Sequence, residues 1–424
     1  MEILNSYNVI IVASLVIIMS FIFNEVSRKT NVPSVLMLIV LGILMKYGLD
    51  AFGLGYLNFF PILEVLGIIG LIMIVLEAAL ELELRADKVV PILSALLIAF
   101  AGLMLSTWAA AVIIQNFLPE MTPLQAWIYA TPLSILSSAI IIPSVTGLKE
   151  EKKEFHIYES TFSDILGIML FYFLTGMAET TGSNGGFTGF LISLVLTIAI
   201  AFIASYGIVL IFQNLRGQAK LFLLISVLIL LYAVSKQMHL SALLIILVFG
   251  LVIANLKLFF KNKLAKWLNM ERAREVYEGL HEITIETAFV VRTFFFVIFG
   301  ITISLSSLFS ARVALVSFTL LVSIYLIRFV LLRLFIGKDI LPQLFIAPRG
   351  LITILLFYAI PANMQSEAFD PGILLFIIIA TSLLMTFALV WEKRRSSAAI
   401  RKAKEIPVGY TSWKLPTIEE VAEK

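Results

Sequence analysis

The sequence predicts an all-α polytopic membrane protein with about 13 transmembrane helices, and three observations predict this fold class. Hydrophobic residues make up 60% of the 424 residues, while only 14% are charged, against about 25% in soluble proteins. Apolar runs long enough to cross a bilayer core of about 30 Å recur along the chain. Basic residues alternate between successive connections, as they do when a chain crosses a membrane repeatedly.

The apolar runs define the predicted spans, which we number in chain order. Each is interpreted as a helix, because a helix bonds its own backbone polar groups inside the bilayer. The thirteen predicted spans lie at about residues 7–23, 34–49, 62–81, 91–117, 123–147, 157–177, 189–212, 219–236, 240–260, 285–306, 312–335, 338–361 and 370–391.

The distribution of basic residues predicts the orientation of the chain. The connections after the odd-numbered spans and the tail carry most of them: Arg28, Lys29, Arg85, Lys88, Lys149, Lys152, Lys153, Arg216, Lys220, a group from Lys257 to Arg274, Arg333, Lys338, Lys393, Arg394, Arg395, Arg401, Lys402 and Lys404. The opposite side holds only Lys46, Lys236 and Arg312. The positive-inside rule therefore places the N-terminus outside and the C-terminus in the cytoplasm. We expect a multi-pass protein of a bacterial cytoplasmic (inner) membrane.

Several function classes lack support in the sequence. The chain contains no cysteine and three scattered histidines, so nothing suggests a disulfide framework, a thiolate metal site or a redox role. No glycine-rich nucleotide loop in strand context is present, and the tail at 392–424 is too short for a nucleotide-binding domain. We expect no cofactor, no nucleic-acid partner and no enzymatic nucleophile–base pair. The sequence therefore does not support ATP-driven transport.

The longest polar connection is residues 261–284, KNKLAKWLNMERAREVYEGLHEIT. Its composition predicts an amphipathic helix at the cytoplasmic interface. A solvated linker between two helical bundles is the alternative.

Spans 5 and 12 are both interrupted by helix-breaking residues. Span 5 contains Pro132 and Pro143, and span 12 contains Pro342, Pro348 and Gly350. Proline removes a backbone donor, so each span is predicted to unwind within the membrane. Each is the second span of a triplet (4–6 and 11–13) that starts on opposite sides of the bilayer. This pattern indicates inverted repeats with two crossed discontinuous helices and a site between them.

The stretch YESTFSDILG, residues 158–167, places two carboxylates at the start of span 6. Asp164 lies about eight residues into the span, which is about 12 Å deep and near the midplane. Ser160 and Asp164 are four residues apart and share one helix face, whereas Glu159 and Ser163 share another. Carboxylate and hydroxyl oxygens suit a small hard cation. A carboxylate that holds either a proton or a cation is the minimum requirement for cation/proton exchange.

The embedded arginines supply counter-charges for these acids. An unpaired buried charge is strongly unfavourable, so we expect Glu159 to pair with Arg328 of span 11 or Arg349 of span 12. Asp164 has no evident cationic partner. Glu77 in span 3 is either a third ion ligand or a partner of Arg292 or Arg349.

These motifs resemble the monovalent cation/proton antiporter superfamily, closest to its sodium/proton exchanger branch (CPA1, NhaP/NHE-like). YESTFSDILG is similar to the E-S-x-x-N-D-x-x-G motif of the sixth helix, and APRGLITILL to the twelfth-span segment. The resemblance implies that Asp164 is the ion-binding aspartate and Ser160 a coordinating serine. It also implies that Glu159 is structural, with Arg328 as its eleventh-span partner.

The resemblance further implies a fold of the NhaA, NapA and NhaP type and a homodimer. A core bundle (about 91–177 and 312–391) would move elevator-fashion against a scaffold and dimerisation bundle (about 1–90 and 189–306). Together they would form a transmembrane domain over residues 1–391, followed by the cytoplasmic tail.

Two positions depart from the exchanger pattern. Ser163 stands where electrogenic relatives carry Asp and electroneutral ones Asn, so one carboxylate remains and we predict one proton exchanged for one cation. Span 5 has LSSAIIIPS instead of the exchangers' T-D-P, which looks more like the potassium-efflux branch. Potassium therefore stays open as the substrate.

The sequence thus predicts a secondary antiporter that exchanges Na⁺, or alternatively K⁺ or Li⁺, for H⁺ across the lipid bilayer. The predicted ion- and proton-binding residues are Asp164, Ser160, Ser163, Ser137, Ser138 and Thr131. The predicted structural charge network is Glu159, Arg328, Arg349 and Glu77. Rival interpretations are a cation channel and, from another class, a membrane enzyme or a non-transporting scaffold subunit.

Overall fold

The structure is a computed structural model, and it describes ten stretches and one single residue of the chain. These are residues 6–30, 32–51, 53, 59–82, 88–145, 147–180, 186–215, 220–238, 242–260, 268–303 and 310–405. Their regular structure is entirely helical, as the predicted fold class requires. The helices are α1 (Ser6–Thr30), α2 (Ser34–Ala51), α3 (Phe60–Glu81), α4 (Val89–Phe117), α5 (Pro123–Ser134), α6 (Ser138–Ser144), α7 (Glu150–Thr180), α8 (Gly186–Phe212), α9 (Lys220–Gln237), α10 (Ala242–Ala254), α11 (Leu256–Phe259), α12 (Met270–Thr302), α13 (Ala311–Phe335), α14 (Leu351–Tyr358) and α15 (Gly372–Glu405).

Eleven helical segments in the described part of the chain are long and apolar enough to cross a membrane. Span 9 corresponds to the shorter apolar helix α10, and span 12 is largely non-helical. The predicted number of thirteen transmembrane helices is therefore not confirmed by helix length and composition.

The helix predicted for residues 261–284 is present over residues 270–284, where the alternative of a linker is not found. It is continuous with the helix of span 10, because both belong to α12, a single helix of 33 residues. At 1.5 Å per residue this helix is about 50 Å long and exceeds a bilayer core of about 30 Å. Asn269 caps its start by accepting from the Arg272 N–H. Residues 261–267 lie outside the described residues.

Span 5 is broken, and the break lies between its two prolines. Thr122 and Gln125 form a capping box at the start of α5. This helix ends at Ser134, two residues after Pro132, whose ring removes one helical donor. Residues 135–137 are non-helical, and α6 then begins at Ser138.

Span 12 departs further from a helix than predicted. Residues 341–345 form turns, residues 346–350 are not helical, and only α14 is a helix. The predicted interruption of span 12 is therefore present, but the residues before it form turns rather than a helix. Pro342 and Pro348 donate no backbone hydrogen bond, and local turns such as Leu344 N–H to Ile340 O take the place of the missing first half-helix.

The two non-helical segments meet in the protein interior. The Ser137 N–H donates to the carbonyl oxygen of Pro348 over 3.0 Å, so a donor freed by one break satisfies an acceptor freed by the other. A Cβ atom on Gly350 would lie 2.5 Å from the Ser137 Oγ atom. Glycine is thus required at residue 350 because the two segments approach so closely.

Helix α7 carries the predicted site and packs against α4, α5 and α6. Gly167, three residues after Asp164, faces the break in span 5. A Cβ atom here would lie 2.3 Å from the Cγ1 atom of Ile135. The final glycine of YESTFSDILG therefore lets α7 contact the broken segment directly.

Candidate functional site

Asp164 lies beside the break in span 5 and is 1% exposed. Its Oδ2 atom accepts a short hydrogen bond from the Ser138 hydroxyl and a second bond of 3.3 Å from the Ser138 N–H. Ser138 is the first residue of α6, so the break itself supplies both donors. The two residues are 26 positions apart in the chain.

The other carboxylate oxygen of Asp164, Oδ1, is buried and has no hydrogen-bond partner among the described residues. No arginine or lysine forms an ion pair with this carboxylate within that part of the chain. A buried carboxylate without a counter-charge is costly when ionised. Asp164 therefore has an open oxygen that can hold a proton or a cation.

The other hydroxyls predicted at the site bond mainly to backbone. The Ser160 hydroxyl donates to the carbonyl of His156 over 2.7 Å, and the Thr131 hydroxyl donates to that of Trp127 over 2.8 Å. Such bonds within a helix are common for serine and threonine. Neither hydroxyl is hydrogen-bonded to Asp164 in this conformation, although both are buried.

Ser163 satisfies the backbone at the break in span 5. Its hydroxyl oxygen accepts from the Leu136 N–H over 3.0 Å. Leu136 lies between α5 and α6, so its N–H has lost its helical acceptor. In this conformation Ser163 bonds the broken segment, while the adjacent Asp164 bonds the start of α6.

Glu159 and Arg328 form a buried bidentate ion pair. The Arg328 Nη1 and Nη2 atoms lie 2.8 and 2.9 Å from Oε1 and Oε2 of Glu159. Arg328 also donates twice to the carbonyl of Gln343, over 3.1 and 3.0 Å. Of the two arginines that the sequence left open, Arg328 is therefore the partner of Glu159. It links α7 to the turns that begin span 12.

Arg349 instead caps the broken end of α5. Its guanidinium donates to the carbonyls of Leu133, Ser134 and Ala347 over 3.0, 3.2 and 2.6 Å. Its own N–H donates to the Thr381 hydroxyl of α15. Because helix carbonyls at a C-terminus carry partial negative charge, this buried cation neutralises the end of α5.

Glu77 of α3 pairs with Arg292 of α12 at 2.7 Å. Both side chains are mostly buried, at 16% and 20% exposure. This resolves the alternatives for its arginine partner in favour of Arg292. Among the described residues, no group of three or more His, Cys, Asp or Glu side chains is close enough to hold a metal ion.

A small cavity of about 30 Å³ lies between α4, α7, α13 and the non-helical parts of spans 5 and 12. Its polar lining consists of Ser106, Ser134, Glu159, Ser163, Arg328 and Arg349. Asp164 does not line it, although the adjacent Ser163 does.

His156 is a polar residue that the sequence reasoning overlooked. The imidazole is fully buried, and its Nδ1 atom lies 3.2 Å from Oε2 of Glu159. The sequence signal for this contact was the position of His156 three residues before Glu159, since residues three apart on a helix are neighbours. The three histidines are scattered along the chain without metal-ligand spacing, so no role was predicted for them.

Known proteins resemble this chain in sequence and in fold. Residues 10–392 match the family model described as "Sodium/hydrogen exchanger, transmembrane". The chain is similar to the sodium proton antiporter MjNhaP1 from Methanocaldococcus jannaschii in a structure at pH 8, with 18% identity and a TM-score of 0.64 over 90% of this chain and 94% of the other.

A three-dimensional electron-microscopy map of MjNhaP1 gives a similar result, with 17% identity and a TM-score of 0.65 over 97% and 100% of the two chains. At these identities the likeness shows a common fold. Curated sequences gave no significant match. The family model covers most of the chain, and the broken spans and the buried aspartate lie within the matched range. The chain therefore belongs to the transmembrane sodium/hydrogen exchanger family, as its motifs predicted.

Proposed function

We propose that this protein is a secondary antiporter that exchanges Na⁺ for H⁺ at Asp164. The observation that carries the proposal is the state of this carboxylate: Ser138 binds one oxygen, and the other is buried with no hydrogen-bond partner in the part of the chain that the structure describes. Membership of the exchanger family supports the same reaction class.

The mechanism follows from the cost of a buried charge. An empty ionised Asp164 would be strongly unfavourable inside the protein, so the carboxylate crosses the membrane either protonated or with a cation bound. Proton and cation therefore exclude each other, and their fluxes are coupled in opposite directions. Exchange of one proton for one monovalent cation leaves the net charge of the site unchanged, which makes the proposed antiport electroneutral.

Oxygen atoms around Asp164 complete the proposed cation site. The Ser138 hydroxyl already touches the carboxylate. Ser160, Ser163, Ser137 and Thr131 are the further proposed ligands. A hydroxyl that donates to a carbonyl, as those of Ser160 and Thr131 do, keeps lone pairs for a cation. Glu159, Arg328, Arg349 and Glu77 form the proposed structural network.

The movement that exposes the site is proposed to be elevator-like. The core bundle (about 91–177 and 312–391) would move against the scaffold bundle (about 1–90 and 189–306), with two protomers joined through their scaffolds. The charge distribution supports an external N-terminus and a cytoplasmic C-terminus in a bacterial inner membrane.

Potassium is the second candidate cation, because the residues LSSAIIIPS around the break differ from the exchanger pattern and resemble that of the potassium-efflux branch. The distinction affects only the substrate. The buried aspartate and its coupling of cation to proton are the same in both cases.

Purified protein in liposomes with a lumenal pH dye tests the proposal. After an inside-acid gradient is set, Na⁺, K⁺ and Li⁺ are added separately to the outside, with and without a potassium–valinomycin voltage clamp. We expect Na⁺ to release lumenal protons at a rate that the clamp leaves unchanged. Cation flux without proton countertransport would indicate a channel and contradict the proposal.

A separate variant tests the stoichiometry of exchange, which is the number of protons exchanged per cation. Ser163→Asp adds a second carboxylate beside Asp164, as electrogenic relatives have. If the number of carboxylates sets the number of protons, exchange by this variant becomes dependent on the clamped voltage, whereas Ser163→Asn remains independent. An unchanged voltage response in Ser163→Asp would contradict this account of electroneutrality.

A further inference from the structure

We infer that His156 is a positioning residue for the proposed exchange: as a neutral donor to Glu159, it fixes the carboxylate through which Arg328 holds the start of span 12. This inference rests on the proposed function. His156 belongs to none of the motifs that indicated the family, and its side chain touches neither Asp164 nor Ser138.

The hydrogen on the imidazole can be assigned from its neighbours. Glu159 is ion-paired with Arg328 and acts only as an acceptor, so the Nδ1 atom of His156 must carry the hydrogen that joins them. The Nε2 atom is then an acceptor, and it is buried without a partner among the described residues. The ring of Phe155 lies edge-on at 5.2 Å. The imidazole of His156 is therefore oriented so that its Nδ1 atom bonds to Glu159.

This bond completes the set of donors around one carboxylate. Oε1 of Glu159 accepts from Arg328, and Oε2 accepts from both Arg328 and His156. His156 and Glu159 both lie on α7, and the bond from His156 thereby fixes the rotation of the Glu159 carboxylate. The orientation of the guanidinium follows, because a bidentate pair is planar and directional.

The oriented guanidinium reaches the second broken span. Two of its N–H groups bind the carbonyl of Gln343. Five residues later the carbonyl of Pro348 accepts from the Ser137 N–H, and the adjacent Ser138 binds Asp164. A contact path therefore runs from His156 through both broken spans to the proposed cation site, which lies two turns further along α7.

Two substitutions of His156 that are nearly isosteric with each other isolate the hydrogen bond from His156 to Glu159. The side-chain nitrogen of asparagine stands one bond beyond Cγ, at the position of Nδ1, while leucine has a methyl group there. His156→Asn and His156→Leu remove similar ring volume and differ in the donor. His281→Leu is the matched control. The Nε2 atom of His281 is also buried without a partner among the described residues, but its ring stacks on Tyr277 in α12.

For each of these variants, for wild type and for Asp164→Asn, the test measures Vmax and the KM for the transported cation in liposomes. A loss of folded protein lowers Vmax without changing KM, whereas displaced ligands raise KM. We expect His156→Leu to raise KM by about fivefold or more, given the sensitivity of sites to displacements near 1 Å. His156→Asn and His281→Leu should remain within about twofold of wild type.

The outcomes separate this inference from the proposed function. Exchange by Asp164→Asn would contradict the function, and with it the inference. An inactive Asp164→Asn together with an unchanged KM in His156→Leu would overturn the inference alone. Should His156→Leu not fold, His156→Met replaces it as the variant without a donor. Failure of both to fold while His156→Asn behaves as wild type would assign His156 to stability and overturn the positioning role.

Discussion

Ser138 donates two hydrogen bonds, from its hydroxyl and its N–H, to the same oxygen of Asp164. This relationship depends on the break in span 5, because a continuous helix would use the Ser138 N–H internally. The break thus leaves the Ser138 N–H free to donate to Asp164.

Ser138→Ala tests the contribution of the hydroxyl. Hydrogen bonds to charged groups contribute about 1.5–3 kcal/mol, so we expect the KM for the cation to rise about tenfold or more. Ser144→Ala is the matched control, since this hydroxyl lies in the same short helix but donates to the carbonyl of Ile140. An equal change in KM for both variants would contradict a specific role for Ser138. Cation-dependent proton release from liposomes provides the measurement.

The Glu159–Arg328 pair should stabilise the fold in addition to orienting the second broken span. Removing one partner of a buried pair leaves an uncompensated charge or acceptor and costs about 3–5 kcal/mol. We expect Glu159→Leu and Arg328→Leu each to lower the unfolding temperature in detergent, with the double variant more stable than either single one. The exposed pair Arg274–Glu278 is the control.

For that control we expect Arg274→Ala to change the stability by less than about 1 kcal/mol. Thermal unfolding followed by size-exclusion chromatography measures all four variants. A double variant no more stable than the single ones would show that the two residues do not act as a pair.

The close approach at Gly350 makes a second stability prediction. A methyl group at residue 350 would meet the Ser137 Oγ and Cβ atoms at 2.5 and 3.0 Å and the Ile140 Cδ1 atom at 2.8 Å. We expect Gly350→Ala to reduce the yield of folded, active protein, since overpacking commonly costs about 1–3 kcal/mol. Adding Ser137→Gly removes the two serine atoms, and Ile140 Cδ1 is the end of a flexible side chain that can turn away, so the double variant should regain most of the yield. Gly147→Ala is the control, because no atom of the described residues lies within 4 Å of its added Cβ. Failure of Ser137→Gly to restore folding would contradict this explanation.

The sequence predicted the membrane class and the broken spans because composition and proline positions act locally. It also predicted that Asp164 is buried and offered Arg328 as one of two partners for Glu159, and the structure shows both features. It did not predict where the breaks lie, since Pro132 and Pro143 are both inside helices and the chain unwinds between them. The unwound position depends on Arg349, Ser163 and Pro348, which lie far away in the chain and bind the freed backbone groups.

Hydrogen-bond direction was the other property that the sequence could not supply. The i,i+4 spacing placed Ser160 on the face of Asp164, but its hydroxyl bonds to the carbonyl of His156. Ser163, on the Glu159 face, instead bonds the break. Periodicity predicts which side chains are neighbours on a helix. The choice between partners depends on the surrounding segments.

The most direct test of the central claim is cation-driven proton release by Asp164→Asn in liposomes. Asparagine keeps the size of the side chain but can hold neither an exchangeable proton nor a negative charge. Asp370→Asn is the matched control, because its oxygen accepts from the Gly372 N–H outside the proposed site. We expect wild type and Asp370→Asn to release protons when Na⁺ is added, and Asp164→Asn to match protein-free liposomes. Release at the wild-type rate by Asp164→Asn would contradict the assignment of Asp164 as the shared proton and cation site.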